Sequence, residues 1–145
     1  MTDTAREFRT LFSRFDHALV YAKFLQKSRG EARADWKAFA NNEMTAKFFK
    51  FVQDSKCADI LINSPPKKLM NEFGDLEWKS VGGVFRNVED LFIHGVLQVR
   101  NSLYHGHKYI GSVEQQSRDE VLVSEAMWVL EESINRSPKI RPFFK

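Results

Sequence analysis

Apolar residues recur along the chain at spacings of three and four, the mark of helices that bury one face. In residues 5–28, Phe8, Leu11, Phe12, Phe15, Leu19, Ala22 and Leu25 share such a face, with Arg9, Arg14, Asp16, Lys23 and Lys27 mostly turned outward. Gly30, in Ser28-Arg29-Gly30, suits the left-handed residue that closes a helix. Asp35 predicts a cap for a short helix holding Trp36 and Phe39. From Met44 a second run places Phe48, Phe51, Val52, Ser55 and Cys57 near one side and continues toward Ile60, Leu61 and Ile62. Asn63-Ser64-Pro65-Pro66 interrupts it, and Ser64 followed by Pro65 predicts a further short helix through Leu69 and Met70. Phe73-Gly74-Asp75 reads as a turn.

Residues 80–105 predict the central helix, with Val81, Val84, Phe85, Val88, Phe92, Gly95, Val96, Val99 and Leu103 on its core face. Gly106 directly follows His105, as expected just beyond a helix end. A loop from Gly106 to Ser117 is expected next. Ser117-Arg118-Asp119-Glu120 has the form of a capping box. It would open a last helix with Leu122, Val123, Ala126, Met127, Leu130 and Ile134 inward, ended by Ser137-Pro138. The basic and aromatic tail Lys139-Lys145 is expected to dock onto the body. With no strand alternation of useful length and no repeat, the pattern predicts an all-α, single-domain bundle of four to five helices over residues 1–145.

The central helix carries an unusual second pattern. At about 100° per residue, Asn87, Asp90, His94, Gln98, Asn101 and His105 line up as one narrow polar strip. Beside it Ile93, Leu97 and Tyr104 form a smaller apolar patch, with Arg86, Glu89 and Arg100 at its margins. Apart from Asp90, the strip is made of amides and imidazoles rather than lysines and glutamates. Two readings fit: a strip buried in the bundle with its polar atoms satisfied internally, or the floor of a cleft whose apolar margin meets a second chain.

Composition narrows the setting. At 145 residues, 43% of them hydrophobic and 13 of them Phe, the chain is long enough for an ordered core without disulfide or metal staples. One cysteine, Cys57, excludes a disulfide framework and a Cys-based zinc site, and it is expected to be a small buried hydrophobe. The N-terminus lacks the apolar run of a signal peptide, and no stretch reaches the length of a membrane span. A cytoplasmic setting is therefore expected, with neither cofactor nor metal. The net charge of +3 is compatible with a polyanion partner without demanding one. Trp36, Trp78 and Trp128 are expected in the core, Lys67, Lys68 and Lys79 as solvated charge, and His17 has no motif around it.

Candidate chemistry gathers at the end of the central helix. Asn101 and His105 are four apart and therefore neighbours on its surface. An amide beside an imidazole can select its tautomer. Histidine transfers protons near neutral pH, and the arginine fork at Arg100 suits phosphate oxygens as charge develops. RNA carries its own nucleophile in the 2′-hydroxyl, so phosphodiester cleavage needs neither a metal nor a covalent enzyme group. One imidazole cannot both deprotonate that nucleophile and protonate the leaving oxygen in the same step. A symmetry mate would supply the second, and the apolar patch gives a reason to expect one. His94, Gln98, His107 and Lys108 are candidate RNA contacts around this centre.

The segment Arg100-Asn101-Ser102-Leu103-Tyr104-His105-Gly106 resembles the HEPN superfamily. That family's signature is an arginine and a histidine separated by a few residues, often with asparagine directly after the arginine. The aromatic first helix, the Asp35-Trp36-Lys37-Ala38-Phe39-Ala40 segment and the final helix are similar to those of small stand-alone HEPN proteins of plasmids and defence loci. The resemblance implies a helical bundle that dimerises through the motif-bearing helix, about residues 80–105. It also implies a metal-independent endoribonuclease of toxin–antitoxin or phage-defence systems, with a cognate antitoxin as partner. Carried onto this chain, Arg100 would polarise the scissile phosphate, Asn101 would orient the imidazole and His105 would act as general acid or base. The tyrosine that some HEPN toxins carry two residues after the histidine is His107 here, and Tyr104 and Tyr109 do not match its place. Other HEPN proteins are catalytically silent and bind a nucleotide, nucleic acid or protein.

Overall fold

In the computed structural model the described residues are 2–80, 82–105 and 113–145, the side chains of 104, 105 and 113–118 excepted. The helices are α1 (Asp3–Tyr21), α2 (Trp36–Ala38), α3 (Thr45–Ser55), α4 (Asp59–Asn63), α5 (Val88–Asp90), α6 (Leu97–His105) and α7 (Val113–Arg136). Strands β1 (Lys68–Glu72) and β2 (Asp75–Lys79) form a hairpin between α4 and α5. Two π-helical segments, Phe39–Met44 and Leu91–Val96, follow α2 and α5. The protein is thus a helical bundle, as its periodicity predicts, with one small antiparallel sheet that the periodicity does not.

α1 packs along α7, and α6 meets both. Between them lies an aromatic core. Trp36 stacks against Phe12 and Phe15 at centroid distances of 4.9 and 5.1 Å, and Phe39 meets Phe92 edge-on at 5.8 Å. Such pairs add about 0.5–1.5 kcal/mol each to the burial of their surface. Trp36 is also fixed by its indole, which donates to Asp16 Oδ1 at 2.8 Å. Trp128 is half-buried against Phe51, whereas Trp78 lies half-buried on β2, outside the core. The C-terminal tail docks as expected, with Ile140 fully buried and Phe144 6.0 Å from Phe15.

Four boundaries differ from those expected, each for a local reason. α1 stops at Tyr21, not near Ser28, because Lys23 takes a left-handed φ of 72° and the chain reverses. Leu25 then pairs with Ala34, and Gly30, at φ 100°, turns the tip of that loop instead of capping a helix. The central helix begins at Val88, not residue 80. Gly82 and Gly83 have φ of 90° and 68°, and Asn87 caps the helix by accepting from the Asp90 N–H at 2.8 Å. Asp90 in turn accepts from the Arg86 N–H at 3.1 Å, so two residues of the supposed polar strip are capping groups. Val84 is consequently 51% exposed; Val81, like the Gly106 cap, lies outside the described residues.

α7 starts at Val113, one turn before the Ser117 capping box; Glu114, Gln115 and Gln116 are good helix formers that extend it backwards. In place of a helix through Leu69 and Met70, the chain forms the hairpin, with Leu69 opposite Trp78 and Asn71 opposite Leu76. Phe73 and Gly74 both have positive φ, 52° and 92°, the requirement of a tight two-residue hairpin turn. Cys57 is exposed in the turn between α3 and α4, not buried, because α3 ends at Ser55 and Lys56 adopts a left-handed cap.

α4 has only Ala58 at its N-cap, a residue without a side-chain acceptor. Glu125 of α7 serves instead, accepting from the Leu61 N–H at 2.7 Å. Removal from water pushes the Glu125 carboxyl above its ordinary value, and its hydrogen bonds to the Leu61 and Ile60 N–H groups only partly offset this. Folding therefore favours the protonated form. This group's contribution to stability falls as pH rises from the unfolded value near 4.5 through the raised native value. Glu125→Gln, which keeps an acceptor without the charge, is expected to remove that fall, seen as a urea midpoint that gains on the parent's as pH rises from 4 to 7. Glu125→Ala should cost about 1–3 kcal/mol at pH 4, since the Leu61 N–H loses its partner, and less as pH rises.

Candidate functional site

The motif lies on the last turns of α6. This helix continues from the cap at Asn87 through α5 and the π-helical segment Leu91–Val96. Gly95 sits within the π turns because Phe85 packs onto it: a Cβ there would meet the Phe85 ring at 2.9 Å. Beyond it the helix is regular, and Val99 and Leu103 are buried as the core face requires.

Arg100 is exposed and turned toward α1. Its guanidinium carbon stands 5.4 Å from the Phe12 ring centre, and it donates to Asn101 Oδ1 at 3.2 Å. Asn101 is half-buried. His105 is the last residue of α6, one turn beyond Asn101; its side chain, and the whole of His107 and Lys108, lie outside the described residues. The structure therefore joins Arg100 to Asn101 and places the His105 backbone on the same helix.

His94 and Gln98 point elsewhere. Lys68 Nζ stands 2.8 Å from His94 Nδ1, a contact in which a neutral imidazole accepts from the ammonium. Gln98 donates to the Lys67 carbonyl at 3.2 Å and meets Ser102 Oγ at 3.4 Å. This side of the helix is a docking seam for the base of the hairpin, and Lys67 and Lys68 form part of that seam. The structure does not bring His94 and Gln98 together with Arg100. Ile93 and Leu97 are half-buried against the chain's own core, so part of the second apolar patch is already used.

Arg100 instead opens onto an open groove of about 870 Å³ between α1, the 22–35 loop and α6. Asp16, His17 and Tyr21 of α1, Glu31 and Arg33 of the loop, and Leu97 of α6 line it. The His17 and Tyr21 rings are 4.5 Å apart. Sequence reasoning passed over His17 and Tyr21. Their signal was a four-residue spacing on the polar face of α1, but only the reversal at Lys23, which folds the loop back over that face, makes them walls of a groove. Among the described residues no His, Cys, Asp and Glu side chains cluster as a metal set, and no helix is long and apolar enough to cross a membrane. Comparison with protein-family models, with curated proteins and with solved structures gave no match.

Proposed function

We propose that the chain is a HEPN-type, metal-independent endoribonuclease that cleaves single-stranded RNA by attack of the 2′-hydroxyl. The observation that carries this reading is the coupling of Arg100 to Asn101 at 3.2 Å, one turn before His105, at the edge of a large open groove. In this mechanism Arg100 holds the scissile phosphate and stabilises the charge of the transition state. Asn101 orients the imidazole, and His105 moves the proton. The products are a 2′,3′-cyclic phosphate and a 5′-hydroxyl. Dimerisation through α6 brings two copies of the set into one cleft, so that one histidine acts as base and the other as acid. A role in toxin–antitoxin or phage-defence systems, with a cognate antitoxin, follows from the same reading.

A second reading, a catalytically silent HEPN module that binds a nucleotide, nucleic acid or protein, is favoured by the packing of the Arg100 guanidinium on Phe12. Incubating purified protein with mixed RNA in EDTA, beside Arg100→Ala and His105→Ala, separates the two. Cleavage by the parent alone supports the nuclease; cleavage that persists in both variants, or none at all, rejects it. For the dimer, Leu97→Glu should shift the particle mass by light scattering from dimer to monomer, with thermal melting to check that the fold survives. An unchanged mass rejects the interface.

A further inference from the structure

Charge is unevenly spread over this molecule. Residues 23–34 hold Lys23, Lys27, Arg29 and Arg33 against Glu31 alone, and the tail 139–145 holds Lys139, Arg141 and Lys145 with no acid. Together these two short segments are six charges positive on a chain whose total is +3, so everything else is net negative. The fold places them side by side. Lys139 Nζ stands 5.7 Å from the Phe24 ring centre at the base of the loop, and Tyr21, where α1 runs into the loop, lies 6.3 Å from Phe143 of the tail.

Between these cations lies an aromatic shelf. His17, Tyr21 and Phe143 follow one another at centroid distances of 4.5 and 6.3 Å, and Tyr21 and Phe143 remain 57% and 44% exposed. His17 and Tyr21 also wall the groove that reaches Arg100. Exposed rings flanked by lysine and arginine beside a groove are the elements of single-strand recognition: stacking for bases, charge for phosphates. A double helix offers no free base faces to such a shelf. The loop that carries the cations is itself ordered, by Gln26 N–H to the Arg33 carbonyl at 3.0 Å and Asp35 N–H to the Phe24 carbonyl at 2.8 Å.

We propose that the shelf Tyr21–Phe143, flanked by Lys27, Arg29, Arg33 and Lys139, binds single-stranded RNA and leads it along the groove to Arg100. Binding of a single strand stands on the charge and the rings; the choice of RNA over DNA rests on the ribonuclease reading.

The test uses the full chain with His105→Ala, so that RNA survives the measurement, and the fluorescence anisotropy of a labelled single-stranded RNA of roughly ten nucleotides. Tyr21→Ala and Phe143→Ala are each expected to weaken binding about tenfold, and Tyr21→Phe to restore it, because stacking is worth about 1–3 kcal/mol per base. Lys27→Ala combined with Arg33→Ala should weaken binding and reduce the slope of log K against log salt by about 1 to 2. Lys50→Ala, an exposed lysine on α3 paired with Asp54, should leave affinity unchanged. RNA binding that ignores Tyr21, Phe143 and the loop cations overturns the proposal, as does failure of the protein to bind RNA. A change in particle mass in Tyr21→Ala and Phe143→Ala would make the shelf a contact between copies, and overturns it too. Tight binding sensitive to the shelf, with no cleavage by the parent, keeps this inference and removes the nuclease; cleavage with an indifferent shelf does the reverse.

Discussion

His105→Ala is expected to lower the rate of RNA cleavage at least a hundredfold, and Arg100→Ala by a similar factor, with the fold intact in both. The first figure follows from loss of a positioned proton-transfer group, worth about 10²–10⁴. The second follows from loss of a preorganised charge at the phosphate, worth about 10²–10³. The double variant should be little worse than the poorer single one, because groups acting in one step are not additive. Arg100 is exposed, so its removal leaves no cavity, and melting temperatures should stay close to the parent's. Quantifying 2′,3′-cyclic phosphate ends in EDTA over time provides the measurement. A large rate loss accompanied by a large drop in melting temperature would assign these residues to the fold instead.

The largest effect on stability is expected at Phe92. It is fully buried, and its ring centre lies 6.3 Å from Trp36, 5.8 Å from Phe39 and 6.0 Å from Phe48. Phe92→Ala removes the ring that joins α2, the first π-helical segment and α3 to the site helix. Truncation of a buried phenylalanine costs about 3–5 kcal/mol, roughly a fifth or more of the stability of an ordinary domain. Urea denaturation should show a midpoint shift of that size with little change in slope, and a melting temperature lower by roughly 10 °C. Phe73→Ala, at the fully exposed hairpin tip (108%), should stay within about 0.5 kcal/mol. The contrast separates phenylalanines that build the core from those that only decorate the hairpin.

What could be read in advance was set by short-range chemistry. The three-and-four spacing of Phe8, Phe12, Phe15 and Leu19 specifies a face whatever surrounds it, and Asp35 caps its helix with a bond only three residues long, 2.9 Å to the Ala38 N–H. The motif at Arg100, Asn101 and His105 was equally visible, since it needs only a helix. Long-range facts were not. Nothing near Ala58 announces that Glu125, on another helix, caps α4. The hairpin was hidden because Pro65 also suits a helix start, and only the pairing of Leu69 with Trp78 decides between the two. Asn87 and Asp90 looked like a strip when helical phase was extended to residue 80, although their spacing is equally that of a reciprocal cap. Walls of the groove are the hardest case, for they come from three separated segments that meet after a reversal at Lys23.

The six π-helical residues Leu91–Val96 have a bearing on how this protein can change over generations. A turn closed between residues five apart holds one residue more than an α-turn, so the segment behaves as a single insertion accommodated inside a helix. The wide turn absorbs that extra residue, so everything beyond it, including Arg100, Asn101 and His105, faces nearly as it would on a regular helix one residue shorter. Deleting one position here would let the helix close regularly with the downstream segment facing nearly the same way. The segment is therefore a place where the site helix can lose one residue without turning the motif away, and lineages of this chain should tolerate a one-residue deletion in Leu91–Val96 better than one in Leu97–His105.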